Sequence, residues 1–250
     1  MSRVLLLIGL VVLTACTASQ NAMYESLKLS FTNPNTVIEA VPLNPNYRYL
    51  RADVNNNPAL LVLGYLDPDP LGLIEVWYSA SNETIKIQNG RLLGSHGLDK
   101  NWIEVKFINA PPLADAFDHQ KAAEAQLALS RKYKALPNPL SFTRIRTVMP
   151  GYRAQIEETV FMRALLEAPD DAPKYLRQGP YANNLRWLEE RIVPKARVLD
   201  NPGLAPVSAT YAVDFSSAQP RPVYGKQCLF PGYCLSWSAW PWPPVGAGKS

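Results

Sequence analysis

A mainly β domain is the fold class the sequence predicts, an antiparallel meander with one or two capping helices. Three observations lead there. Between positions 59 and 107, apolar and polar residues alternate with the period of two that half-buried strands need. Turn signals separate those stretches, the strongest being Asn89-Gly90, which suits a tight hairpin. Proline, at 23 residues, fixes φ in many loops, as in short-stranded, aromatic-rich β proteins.

In chain order, Arg3 is followed by about ten apolar residues, Val4 to Leu13. That run fits a signal-peptide core and falls well short of the ~20 residues a spanning helix needs. It closes in Leu13-Thr14-Ala15-Cys16, which resembles the lipobox of a bacterial lipoprotein precursor. Residues 1–15 would be a signal peptide, with 16–22 the lipidated cysteine and a short polar tether. Residues 23–250 would form one mostly β periplasmic domain with a Pro/Trp-rich C-terminal tail. Several acyl chains on Cys16, at roughly 0.8 kcal/mol per buried CH₂, would anchor the protein stably. Thr17 stands where an aspartate often retains lipoproteins at the inner membrane. That resemblance favours an outer-membrane address, lipid-anchored on the periplasmic side.

Tyr24 to Phe31 reads as a short helix or strand, and Pro34, Pro42 and Pro45 then break the chain. Ala59 to Leu66 is a strand-length apolar run, and Asp67-Pro68-Asp69-Pro70-Leu71-Gly72 is a turn. Strands follow around Ile74–Ser79 and Ile85–Gln88, then Arg91–Leu98 and Ile103–Phe107, giving about five in all. Pro111-Pro112 ends the meander. Ala114 to Leu136 predicts an amphipathic helix with a stripe of Ala122, Ala125, Leu129, Tyr133 and Leu136, packed on the sheet and stopped by Pro137. Phe142–Met149 and Tyr152–Leu166 read as strands whose mixed Arg and Glu imply one wet face. Ala168 to Pro180 is a loop. Asn183–Val193 reads as a short helix stopped by Pro194. Strands return at Ala209–Phe215 and Pro222–Cys228. The tail from Ser236 carries Trp237, Trp240 and Trp242 among prolines, and Trp-Pro-Trp-Pro-Pro forms no regular element. These tryptophans either pack back on the domain or face a glycan or partner.

The charges exclude one class of partner. The net charge is +4, falling to +3 when Arg3 leaves with the signal, and it is evenly spread, so nucleic acid is not expected. Of three cysteines, Cys16 goes to lipid; Cys228 and Cys234, an even pair in an oxidising compartment, are expected to form a disulfide around the Pro231-Gly232 turn. Their spacing fits neither a C-x-x-C redox motif nor a zinc knuckle.

Candidate chemistry is weak. Asp67 and Asp69 could be paired carboxylates for work on a glycan, but Asp in such a turn more commonly bonds its own backbone. Glu157 and Glu158 fall on opposite strand faces. His96, in Gly94-Ser95-His96-Gly97, only loosely resembles a nucleophile elbow and stands in the wrong structural place for one. No H-E-x-x-H, phosphate loop or ligand cluster is present in the sequence. No catalytic residue, metal or cofactor is assigned.

A family resemblance comes from several of these stretches together. The lipoprotein signal is followed by Ala59-Leu-Leu-Val-Leu-Gly-Tyr65, a strand ending near Trp77, the Asn89-Gly90-Arg91 hairpin and Gly97-Leu98. Tyr211-Ala-Val-Asp214 and Pro222-Val-Tyr come later. The pattern resembles the YjbF/GfcB (YmcC-like) outer-membrane lipoproteins of exopolysaccharide and group-four capsule operons over residues 1–110 and 205–235; the middle segment is not placed by it. The resemblance implies a barrel-like domain that assists assembly or secretion of an extracellular polysaccharide beside other envelope proteins, with Cys16 as the lipidated residue. The alternatives are a periplasmic polysaccharide-modifying enzyme and a module that holds glycan through aromatics.

Overall fold

The computed structural model describes residue 38 and residues 41–129, 139–192 and 207–243. The predicted signal 1–15, Cys16 and its tether, the Tyr24–Phe31 stretch and residues 130–136 at the end of the long predicted helix, with Tyr133 and Leu136, lie outside the described residues.

Twelve antiparallel strands form one sheet. They are β1 (Tyr49–Val54), β2 (Asn57–Asp67), β3 (Ile74–Ser79), β4 (Thr84–Gln88), β5 (Arg91–His96), β6 (Asn101–Ile108), β7 (Ser141–Met149), β8 (Arg153–Leu165), β9 (Leu185–Ile192), β10 (Ala209–Asp214), β11 (Arg221–Phe230) and β12 (Tyr233–Trp240). Neighbours in sequence are neighbours in the sheet, and β12 returns to pair with β1 from Tyr49 opposite Trp240 to Val54 opposite Leu235. Only between β5 and β6 is the ladder missing among the described residues, although the two strands run side by side. At that seam the Trp102 N–H donates to Ser95 Oγ at 3.2 Å. A Cβ on Gly94 would stand 3.0 Å from the Ile103 carbonyl, so glycine permits the close approach. The result is the predicted meander, closed into a nearly complete barrel.

Up-and-down order sorts the connections by end. At one end lie the tight turns β1–β2, β3–β4, β5–β6, β7–β8 and β11–β12. At the other lie the longer β2–β3, β6–β7, β8–β9 and β10–β11 connections, the Asn89-Gly90 turn, and the points where the chain enters β1 and leaves β12. This second end is the mouth. Helix α1 (Asp115–Leu129) sits there, and the β8–β9 connection carries α2 (Lys174–Arg177) and a 3-10 turn at Pro180–Asn184.

A twelve-stranded barrel with a round section would leave a lumen wider than side chains fill. Here opposite walls touch. The Trp102 Nε1–H on β6 donates to the Leu229 carbonyl on β11 at 2.9 Å, and Arg91 on β5 reaches Glu190 on β9 at 2.8 Å. The section is therefore flattened, and the interior packs as a core of Leu61, Ile85, Trp102, Val160, Leu188 and Leu235. Two smaller clusters lie outside the barrel. Residues 41–47 cover Tyr49, Leu60 and Val62. The β8–β9 connection covers Leu185, Trp187, Val223 and Tyr224 through Ala172 and Leu176.

Four expectations are corrected. Asn183–Val193 is not a helix: after the 3-10 turn it is strand β9, buried on both faces, so its Glu and Leu do not alternate as a half-wet strand would. The tail is regular further than expected, because β12 runs through Trp240 and stops only at Pro241. The α1 stripe is displaced, with Ala122 and Ala125 exposed while Leu113, Ala116 and Phe117 are buried, and Phe117 meets Phe215 edge-to-face at 5.4 Å. The helix thus touches the barrel at its start. β8 has the one wet face expected, with Glu157 and Arg163 exposed, but not all the Arg and Glu lie on it: Arg144, Arg146 and Glu158 point into the barrel. Strand β1 was not foreseen.

Candidate functional site

The interior holds a charge cluster. Phe142, Arg144, Arg146 and Val148 share the inward face of β7, and Glu158 on β8 lies directly opposite Arg144. Glu158 Oε2 accepts from Arg144 Nε at 3.0 Å and Nη2 at 2.8 Å, while Oε1 accepts from Arg146 Nε at 3.0 Å and Nη2 at 2.7 Å. Both guanidiniums lie against the Trp102 ring, at 4.6 and 5.0 Å from its centre, a cation–π arrangement out of water. Arg144 Nη1 also donates to Gln227 Oε1 at 3.3 Å. Nearby, Glu190 accepts from Arg91 Nε at 2.8 Å and from the Tyr211 hydroxyl at 3.3 Å. Burial, then the Glu190 charge, pushes the Tyr211 hydroxyl well above the usual tyrosine range. Glu158 is thus bonded through both oxygens to two arginines, and Glu190 to an arginine and a tyrosine. This is the chemistry of a structural cluster; a general acid or base needs an oxygen facing its substrate.

The mouth is different. The Asn89-Gly90 turn crosses it and meets β11, for a Cβ on Gly90 would stand 2.3 Å from Pro222. Gln88 and Asn89 tie this turn to the β2–β3 loop: Gln88 Nε2 donates to Asp69 Oδ1 and to the Gly72 carbonyl, each at 2.9 Å, and Asn89 Nδ2 donates to the Leu71 carbonyl at 2.9 Å. On one side of the turn, Leu113 and Phe117 of the α1 region join the core. On the other side a cavity of about 950 Å³ remains, at the upper end of the roughly 300–1,000 Å³ typical of ligand pockets. Its walls combine Tyr47, Trp77 and Trp237 with Arg48, Glu75 and Asn89.

Trp77 is 2% exposed, and its Nε1–H has no hydrogen-bond partner among the described residues. An unpaired buried donor costs roughly 1–3 kcal/mol. Above the ring, the Arg48 guanidinium lies 5.6 Å from its centre and donates to Glu75 Oε1 at 2.5 Å. Glu75 and Trp77, two apart on β3, share the inward face, and the Arg48 carbonyl accepts from the Leu63 N–H at 3.0 Å, which places Arg48 at the rim. Trp237 is the opposite wall. Its indole lies over Gly225, where any Cβ would stand 2.3 Å from Cζ2.

The other residues singled out in the sequence are dispersed. Trp240, on the outer face of β12, also lines the edge of the mouth cavity, with Arg51 at 5.3 Å and Tyr175 at 6.3 Å from its ring centre. Trp242 meets Tyr181 edge-to-face at 5.1 Å. Of the two arrangements left open for the tail, both residues pack back on the domain. Cys228 and Cys234 are bonded across the β11–β12 turn. Asp69 Oδ1 accepts from the Leu71 N–H at 2.9 Å, and this bond, with that from Gln88, lowers its carboxyl below the usual range. His96 and Glu157 are exposed and far from the mouth. Sequence reasoning missed Glu75 and Arg48: the Glu75-x-Trp77 spacing is a signal for a shared strand face, but Arg48 precedes β1, which no local pattern predicts. Among the described residues, no three His, Cys, Asp or Glu side chains converge to hold a metal ion.

A family profile described as group 4 capsule polysaccharide lipoprotein gfcB, YjbF matches residues 27–164. Among solved structures, the chain is similar to the hypothetical lipoprotein YmcC from Escherichia coli (K12), with a TM-score of 0.51 and 17% identity, covering 89% of this chain and 95% of that one. At that identity the likeness concerns the fold. No curated protein matches the sequence.

Proposed function

Because the chain belongs to the YjbF family of group 4 capsule polysaccharide lipoproteins, we propose that it is a non-enzymatic outer-membrane factor in the assembly or secretion of an extracellular polysaccharide. The observation that carries this reading is the family match itself. It spans β1 to β7 and nearly all of β8, and so includes the Arg48–Glu75–Trp77 wall and the Arg144–Glu158 cluster. The bonding of Glu158 and Glu190 supports a role without catalysis, since these two buried carboxylates serve the core. In this reading Cys16 carries the lipid, the barrel hangs on the periplasmic side of the outer membrane, and other envelope proteins of the same operon are its partners.

The test is secreted polymer from a strain lacking the protein, complemented with wild type or with Cys16→Ala. Restoration by wild type alone, with Cys16→Ala exported and stable, is the expected result. Full restoration by Cys16→Ala would remove the tether from the mechanism. No change of polymer on deletion would overturn the reading.

A further inference from the structure

We infer that the mouth cavity is a saccharide-binding site, in which Trp77 donates its indole N–H to a sugar oxygen and Arg48 and Glu75 open to admit the ring. This deepens the polysaccharide reading and rests on it. Three observations meet at one place. The cavity is large enough for more than a single small group. Its walls carry aromatic rings and hydrogen-bonding side chains beside aliphatic ones such as Leu66 and Leu73, a mixture that suits a sugar ring: apolar on its C–H faces, polar around its rim. And one of its lining residues, Trp77, carries a buried donor that the protein's described residues leave unpaired, whereas buried polar groups nearly always have a partner.

Arg48 is the part of this wall free to move. Its guanidinium covers the Trp77 face, held by Glu75, but the side chain is 58% exposed and leaves no packed core when it swings away. A sugar ring stacked in its place would keep a contact on the indole face. It would also free Glu75 to accept hydroxyl hydrogen bonds and Arg48 to donate them. An acyl chain would need none of these polar groups, and nothing in it would pair with Nε1.

The experiment uses the lipidated full-length protein in zwitterionic detergent micelles with ¹⁵N-labelled tryptophan. The probe is the oligosaccharide fraction from partial hydrolysis of the producing strain's own extracellular polymer. The Trp77 indole resonance should shift saturably. Arg48→Ala and Glu75→Gln, both at the rim and away from the packed core, should each weaken binding about tenfold or more. Tyr152→Ala, exposed at the tight-turn end, should leave it unchanged. Binding that ignores Arg48 and Glu75 overturns the site. A Trp77 shift with detergent chain length but not with oligosaccharide assigns the cavity to acyl chains instead. No saturable response, in a protein whose deletion still abolishes the polymer, overturns the cavity proposal while the family role stands.

Discussion

Glu158→Gln removes one negative charge and almost no volume, so it isolates what that charge does. In the wild type, Arg144 and Arg146 have side chains only 1% exposed, and a single carboxylate accepts from both. Breaking a buried ion pair by removing one partner costs roughly 3–5 kcal/mol, because the remaining charge stays desolvated. Here two cations lose their anion, while the glutamine oxygen retains one acceptor and the Trp102 face remains. These offsets favour a loss of about 4 kcal/mol, a large share of a total of roughly 5–15 kcal/mol. For a domain of this size, that corresponds to a fall in Tm of about 8–16 °C. Urea unfolding followed by circular dichroism and tryptophan emission measures it directly. A companion variant, Arg144→Met/Arg146→Met/Glu158→Leu, should recover most of the loss, since apolar residues of similar volume can replace a buried ionic group without penalty. A Glu158→Gln protein within about 1 kcal/mol of wild type would refute the reasoning. So would a triple variant as unstable as the single one, which would mean the cluster acts through shape rather than charge.

Two other outcomes follow from buried groups. Tyr211 and Tyr224 both have hydroxyls whose ionisation burial pushes above the usual range, Tyr211 with Glu190 adding to it and Tyr224 with Asp171 adding to it. A raised folded-state value means the native state holds these protons longer, so their contribution is intact below about pH 10 and is lost as pH rises beyond it. Stability measured from pH 8 to 12 should therefore fall only above about pH 10, and Tyr211→Phe should flatten part of that fall. Gly225→Ala should destabilise the fold by about 1–3 kcal/mol, as its Cβ would stand 2.3 Å from the Trp237 ring; unchanged unfolding would show that the Trp237 wall yields freely.

The meander was legible because its strands are half wet. Ile85 and Ile87 are buried while Lys86 between them is exposed, and Asn89-Gly90 fixes the turn. Legibility failed where a second layer covers the sheet. In β9, Leu185 and Trp187 face the β8–β9 connection while Leu188 and Glu190 face the interior, so period two disappears and a leucine- and glutamate-rich stretch reads as helix. β7 misled in another way: Arg144 and Arg146 alternate properly with Ile145, but which face is wet depends on a glutamate one strand away. The mouth depends on still longer range. Arg48, Trp77 and Trp237 meet only because the barrel closes, and no local spacing encodes that.

The pairing of β1 with β12 also sets an order in time. Tyr49 waits for Trp240, so the first strand of the sheet has no second neighbour until the last has been made and exported. Until then its outer edge is open to strands of other chains, and, with no ladder between β5 and β6, the strands before and after that seam stand as two separate ladders. Contacts this distant in sequence form slowly. A chain cut short before Tyr233 would lose the closing strand and with it the Trp237 wall, leaving an unfinished sheet whose natural next partner is another copy of itself.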